Sequence, residues 1–299
     1  MGDWERYWPL GVCQKMRIVS HKRRLTARHG GMEITGAASR VRYHERGSIY
    51  CATMNDDPPS PVVRFERVSK KFGATPILRE VSLQLMPGML AGLVGVNGAG
   101  KTTLIKCLLD FCNLESGRIE LFGLPHTQPH ARRQLAFLPE RFVPPHFLTA
   151  RQFIKAMAGI AGQAYDEKRA ISTFLEMDLA PGVLDKPVRA LSKGMTQKLG
   201  LVACLLSKRR FYVLDEPMSG LDPTARVRVK HKLKQLKEDG NTLLMTSHSL
   251  ADIEEICDHM LVLHDGMIAF AGAPADFRSQ FGASNLEQAF LSCIESSHA

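Results

Sequence analysis

The sequence predicts an α/β fold: a sheet containing parallel strand pairs, with a helical subdomain inserted into it. Three observations predict it. Strand-like apolar runs alternate with helical periodicity from Val62 to Ala271. A glycine-rich turn, Gly95-Val96-Asn97-Gly98-Ala99-Gly100, separates a continuous apolar run from a helical one. The stretch from about 141 to 190 has helical spacing and no strand signal.

Each element follows from a local pattern. Val62–Val68 alternates apolar and polar residues, as a half-buried strand does, and Ile77–Leu85 repeats the pattern. Met89–Val94 is continuously apolar, as a buried strand is. Helical spacing follows Gly100, with Leu104, Ile105, Leu108 and Leu109 on one face. Arg118–Phe122 and Leu135–Leu138 read as short strands. Residues 149–177 read as helices, and a further helix spans about Ser192–Leu206. Strands Phe211–Leu214 and Thr242–Met245 alternate with helices near 223–238 and 249–256. Leu261–Leu263 and Met267–Ala271 form a hairpin turned at Asp265-Gly266. Residues 285–295 suit a short amphipathic helix.

The bulk numbers narrow the function classes. At 299 residues, 44% hydrophobic and 23% charged, the chain is of ordinary globular composition and holds one large domain or two small ones. No stretch approaches the roughly 18 apolar residues of a spanning helix, so a membrane role requires a partner. The net charge of +9 is uneven: residues 1–53 hold ten Lys or Arg against four Asp or Glu, and the rest hold 29 against 26. The globular part is therefore only mildly basic, which argues against nucleic acid as a partner. Seven scattered cysteines form no C-x-x-C pair and read as reduced, mostly buried thiols.

Residues 1–53 carry Trp4, Tyr7, Trp8 and the basic run Lys22-Arg23-Arg24 without sustained periodicity. They lack the apolar run of a secretory signal. Residues 1–60 are expected to be a basic extension, either disordered or upstream of a native start at Met54. Residues 61–281 are expected to form the main domain, with its helical subdomain at about 141–195, and 282–299 a helical tail.

The chemistry begins at Gly95–Thr103, which fits G-x-x-x-x-G-K-[ST]. Gly95, Asn97, Gly98, Ala99 and Gly100 let backbone N–H groups face phosphate oxygens, and the helix behind them adds its positive end. Lys101 is placed to reach the β- and γ-phosphates, Thr102 to bind Mg²⁺ and Thr103 to bond the α-phosphate side. Asp215-Glu216 follows a buried strand. Asp215 there can hold Mg²⁺, and Glu216 can orient or deprotonate an attacking water. Taken alone, this acidic pair reads as a loop or a helix cap rather than as a catalytic pair.

Five segments in this order are Gly95–Thr103, Leu191-Ser192-Lys193-Gly194-Met195, Val213–Pro217, Ser219-Gly220-Leu221-Asp222 and Thr246-Ser247-His248. As a set they resemble the ATP-binding cassette ATPases, over about residues 61–280. The resemblance implies a P-loop NTPase core with a mixed sheet, an inserted helical subdomain and N-terminal antiparallel strands. It implies ATP and Mg²⁺ as cofactors. It gives His248 a contact to the γ-phosphate, Phe72 a stacking role on adenine and Asp222 a place at the dimer seam. Ser192, Lys193 and Gly194 would close over ATP held by a second subunit, so the implied partners are another ATPase subunit and a separate transmembrane permease. The implied location is the cytoplasmic face of the membrane, reached through that permease.

Three positions depart from the family pattern. Glu140 stands where a glutamine usually senses Mg²⁺, Lys193 replaces a glycine and Met195 replaces a glutamine. Since Lys101, Asp215, Glu216 and His248 are present, hydrolysis is expected, coupled to transport and most simply to export. The alternative is an ATPase of the same family acting on ribosomes or nucleic acid. Against it stand the single cassette and the 91 residues between Lys101 and Ser192, which hold no long heptad run. An intact Glu216 argues against a non-hydrolysing subunit. The coupling surface is expected near 141–165, among Arg141, Phe142, Val143, Phe147, Arg151 and Phe153.

Overall fold

The computed structural model describes residues 60–296 and, ahead of them, four short strands. The chain separates into two units, Met1–Pro58 and Pro59–Ala299. In the first, β1 (Ile18–Ser20) pairs antiparallel with β2 (Arg23–Leu25), and β3 (Arg42–Tyr43) with β4 (Ile49–Tyr50). Apart from these strands, the expectations for residues 1–59, Cys13 and Cys51 included, lie outside the described residues.

The second unit is built on two sheets. β5 (Val63–Phe72), β6 (Thr75–Leu85), β8 (Ser116–Leu121) and β9 (Leu124–Pro125) form an antiparallel sheet in the order β6-β5-β8-β9. The other sheet runs β10-β11-β12-β7-β13-β14, with β7 Leu90–Val94, β10 Leu135–Leu138, β11 Phe211–Leu214, β12 Thr242–Thr246, β13 His259–His264 and β14 Met267–Gly272. Its first five strands are parallel, and β14 returns antiparallel at the edge. β7, β11 and β12 are buried along their whole length, which is why they read as continuous apolar runs rather than alternating ones.

Parallel neighbours need crossovers, and helices supply them. α1 (Lys101–Leu108) lies in a core shared by both sheets, where Leu104 and Ile105 join Val63, Phe65, Leu85 and Leu93. A second core, on the other face of the parallel sheet, takes in α4 (Lys193–Leu206) and α5 (Pro223–Glu238). α2 (Ala150–Ile160) and α3 (Glu167–Glu176) pack onto it through Phe153, Ile154 and Phe174. Thr149 and Gln152 form a reciprocal cap at the start of α2, satisfying two otherwise orphaned N–H groups.

α6 (Leu250–Ile256), α7 (Pro274–Gln280) and α8 (Leu286–Ser296) close the unit. α7 and β9 carry no sequence signal strong enough to read. β9 has two residues, and α7 is anchored mainly by the fully buried Phe277. α8 buries Leu286, Ala289 and Cys293 in the same core. Gly266, at the β13–β14 turn, shows why one glycine is required. Its φ is +74°, and a Cβ there would sit 2.4 Å from the carbonyl oxygen of Ile77. Its own carbonyl accepts the Arg79 N–H at 2.8 Å, stitching the hairpin to β6. Among the described residues Cys107, Cys112, Cys204, Cys257 and Cys293 are free thiols, and all but the half-buried Cys112 are buried.

Candidate functional site

β7 delivers the chain to the glycine-rich loop, and α1 carries it away. Gly98 (φ +85°) and Gly100 (φ +108°) take left-handed conformations that cost other residues dearly. No side chain caps α1, so the N–H groups of its first turn keep their positive end open. A Cβ at Gly95 would lie 2.3 Å from the Leu263 carbonyl oxygen, so the loop seats tightly on β13. The Lys101 ammonium folds back to donate to the carbonyls of Gly95 (2.7 Å) and Val96 (3.2 Å). Burial holds Lys101 below the usual lysine range, against the pull of Glu216, Asp215 and Glu140.

The acidic turn is built by strand register. β10 and β11 run parallel, and the Asp215 N–H donates to the Leu138 carbonyl at 2.8 Å, which draws the segment of Glu140 alongside. On the other side Leu214 pairs with Met245, so the next residue of β12, Thr246, meets the turn. The Thr246 hydroxyl donates to Asp215 Oδ1 at 2.7 Å and accepts the Glu216 N–H at 2.8 Å. Glu216 has φ +49°, a left-handed conformation worth about 1–3 kcal/mol of strain in a residue with a Cβ.

Burial pushes Asp215 above the usual carboxylate range; the Thr246 hydrogen bond opposes the rise and Glu140 adds to it. Burial raises Glu216 as well, with His248 opposing. Glu216 Oε1 lies 3.3 Å from His248 Nε2. That buried oxygen is left without a hydrogen bond. Three carboxylates thus share the field of one lysine, an excess of negative charge suited to a cation.

These groups line a cleft of about 490 Å³. Phe72 and Ile77, the phosphate loop, and Glu140, Asp215, Glu216 and His248 line it together. Asn97, Gly98, Gly100, Lys101, Thr102 and Thr103 reach the cleft, whereas Gly95 and Ala99 shape the loop from beneath. Phe72 is 53% exposed and has the Lys70 ammonium 5.2 Å from its ring centroid. Lys70 is itself buried and paired with Glu115 at 3.5 Å.

Ser192, Lys193, Gly194 and Asp222 do not line this cleft. Ser192 caps α4, its Oγ accepting the Met195 N–H at 3.2 Å. A Cβ on Gly194 would lie 3.3 Å from the Gly220 carbonyl oxygen, and one on Gly220 would lie 3.3 Å from Lys193 Cε. The start of α4 is therefore packed on the turn before α5. Asp222 caps α5 by accepting the Ala225 N–H at 2.9 Å, and that bond holds its carboxyl below the usual range.

Three supporting residues were given no individual role at the site from sequence. Thr246 bridges the Asp215 carboxylate and the Glu216 backbone N–H, and Ile77 lines the cleft. The buried Gln197 donates to the carbonyls of Glu216 (3.4 Å) and Pro217 (3.5 Å), tying α4 to the acidic turn. Gln197 was findable, as a polar residue in the buried stripe of α4; Thr246 and Ile77 look like ordinary strand residues. Of the six residues read as a coupling surface, Val143 and Phe147 are open, at 71% and 81% exposure, and Arg141 is exposed. Phe153 is buried, and Phe142 stacks edge-on against it at 5.7 Å. Arg151 is spent on ion pairs to Asp185 and Glu167.

Comparison with known proteins bears on the same residues. A family model described as ABC transporter matches residues 78–219. The chain is 34% identical over 230 residues to the Nod factor export ATP-binding protein I of Burkholderia thailandensis, covering 75% of each. It is 33% identical over 215 residues to the ABC-type transporter ATP-binding protein EcsA of Bacillus subtilis, covering 71% of this chain and 87% of that one. A 36% match to an uncharacterized ABC transporter ATP-binding protein of Synechocystis covers 67% of this chain and spans only 57% of that relative. A solved ATP-binding subunit of an ABC transporter superimposes with a TM-score of 0.73 at 29% identity, over 78% of this chain and 99% of that one.

Proposed function

The chain belongs to the ATP-binding cassette ATPases, and from that membership we propose that it hydrolyses ATP in a two-subunit assembly that energises a separate membrane permease. The observation that carries the catalytic part is the single cleft, in which Lys101, Asp215, Glu216 and His248 meet although they come from three separate segments.

In this reading Phe72 stacks on adenine with its exposed face. The loop N–H groups and the start of α1 cradle the phosphates, and Lys101 exchanges its carbonyl partners for phosphate oxygens. Glu216 orients a water and takes its proton as the water oxygen bonds the γ-phosphorus and the bond to ADP breaks. Its raised pKa brings it nearer the working pH of a general base. His248 contacts the γ-phosphate. Thr102, Asp215 and Glu140 suit Mg²⁺, a hard cation held by a few oxygens together with phosphate. When bound, it neutralises phosphate charge.

Ser192, Lys193 and Gly194 lie outside this cleft, which supports their service to a partner's ATP, with Asp222 at the seam. The exposed Val143 and Phe147, with the 67% exposed Phe111, offer the permease an apolar contact. No helix among the described residues is long and apolar enough to cross a membrane. In this reading the permease holds the chain at the cytoplasmic face of the membrane. The export-named relatives favour export. None of the relatives named above carries a ribosomal or nucleic-acid name, so that alternative has no support from them.

The test is Glu216→Gln in the full chain. ATP binding is expected to persist while hydrolysis falls by about 10²–10⁴-fold, the usual worth of a general base, and the nucleotide-bound dimer accumulates. Hydrolysis at the wild-type rate removes Glu216 from its role.

A further inference from the structure

Thr246 is fully buried at the end of β12, after three apolar residues, Leu243, Leu244 and Met245. A hydroxyl there costs free energy unless it is hydrogen-bonded. Valine has nearly the same shape and would fill the place without that cost. The hydroxyl is satisfied by two adjacent residues of the acidic turn. Its one proton goes to Asp215 Oδ1 and its lone pair receives the Glu216 N–H. One hydroxyl thus holds both that carboxylate and that N–H. A threonine merely satisfying itself would need one neighbour, and a carbonyl of an adjacent strand would serve.

We propose that Thr246 is a positioning residue for ATP hydrolysis, its hydroxyl locking the Asp215 carboxylate and the left-handed backbone of Glu216 into one unit. The proposal rests on the roles given above to Asp215 and Glu216. Loss of the bond frees the Asp215 rotamer and releases the N–H that anchors Glu216 at φ +49°. The phosphate loop is not held by Thr246, so nucleotide binding without metal is spared.

Thr246→Val and Thr246→Ser test this in the full chain, with Glu216→Gln as reference. Hydrolysis and ATP affinity are measured, the latter in Mg²⁺ and in EDTA. T246V is expected to lower kcat by about 10- to 100-fold, the usual effect of removing a residue that orients a functional ligand. The affinity in EDTA should stay within about threefold, because metal-free binding is untouched. The gain in affinity that Mg²⁺ brings should shrink in T246V. T246S, which keeps the hydroxyl, should recover most of the rate and of that gain. Three results overturn the proposal: T246V matching wild type in kcat and in Mg²⁺ gain; T246S as impaired as T246V, which points to packing; or a parallel loss of kcat and EDTA affinity. If E216Q is silent while T246V is unchanged, the proposal alone fails. If E216Q hydrolyses normally, the reading beneath it fails too.

Discussion

The starts of α1 and α4 are both helix N-termini preceded by small residues, yet one lines the cleft and the other does not. Gly100 gives α1 no side-chain cap, so its first-turn N–H groups remain open to an anion. Ser192 turns its own hydroxyl onto α4 and satisfies one of the corresponding groups. Lys101 is half-buried over its loop and faces three carboxylates. Lys193 is exposed, with its stem beside Gly220 and no ion pair among the described residues. Around α1 the chain supplies walls, floor and charge; around α4 it supplies a small exposed surface resting on the turn before α5. A helix end becomes a nucleotide site only where other elements enclose it. For α4, the proposed assembly would supply that enclosure from another chain.

The largest effect that could break this contrast is on binding. Lys101→Ala is expected to weaken ATP binding about 10- to 100-fold, as loss of charge-assisted hydrogen bonds does. Lys193→Ala should leave binding to the single subunit within about twofold, as an exposed charge does. Equal losses in a titration with fluorescent ATP would erase the distinction between the two helix starts.

Ser192 sharpens it next. Ser192→Ala should destabilise α4 by about 1 kcal/mol through the lost cap, whereas Ser192→Gly should cost only a few tenths. If Ser192 also serves a partner's ATP, both variants lose hydrolysis by similar factors despite unequal melting temperatures. Rates that simply track stability would confine Ser192 to capping.

The smallest expected effect concerns the charge stored in the cleft. Burial holds the folded-state pKa of Glu216 above its unfolded value. Ionised Glu216 therefore costs stability above its folded pKa, and that cost is absent below its unfolded pKa. Ligand-free Glu216→Gln should melt higher than wild type at neutral pH, and the gap should close as pH falls through the carboxylate range. Melting curves from acid to neutral pH check this. A gap that widens toward acid would have the sign wrong.

Much of this was legible along the chain because the signals are local. The loop needs glycine where φ is positive, and Gly98 and Gly100 announce it. Ser192 and Asp222 stand where capping residues stand, one residue before their helices. Continuous apolar runs marked β7 and β11 as buried strands. What escaped depends on which side of an element is covered. Phe142 and Phe153 looked as available for docking as Val143 and Phe147, and only packing against the core separates the pairs.

By itself the sequence determined the order of the nucleotide-binding segments, the helix starts that serve them and the family to which they belong, since each depends on residues within a turn of one another. The tertiary structure alone decided that Thr246 bridges Asp215 and Glu216 across 31 residues, and that Gln197 ties α4 to the same turn. It also decided that Ser192 and Lys193 stay outside the cleft that Lys101 helps to form. Such partnerships arise from the parallel register of β11 and β12 and from the packing of α4. Strand register and helix packing are fixed by burial across the whole core, and no short run of residues carries that information.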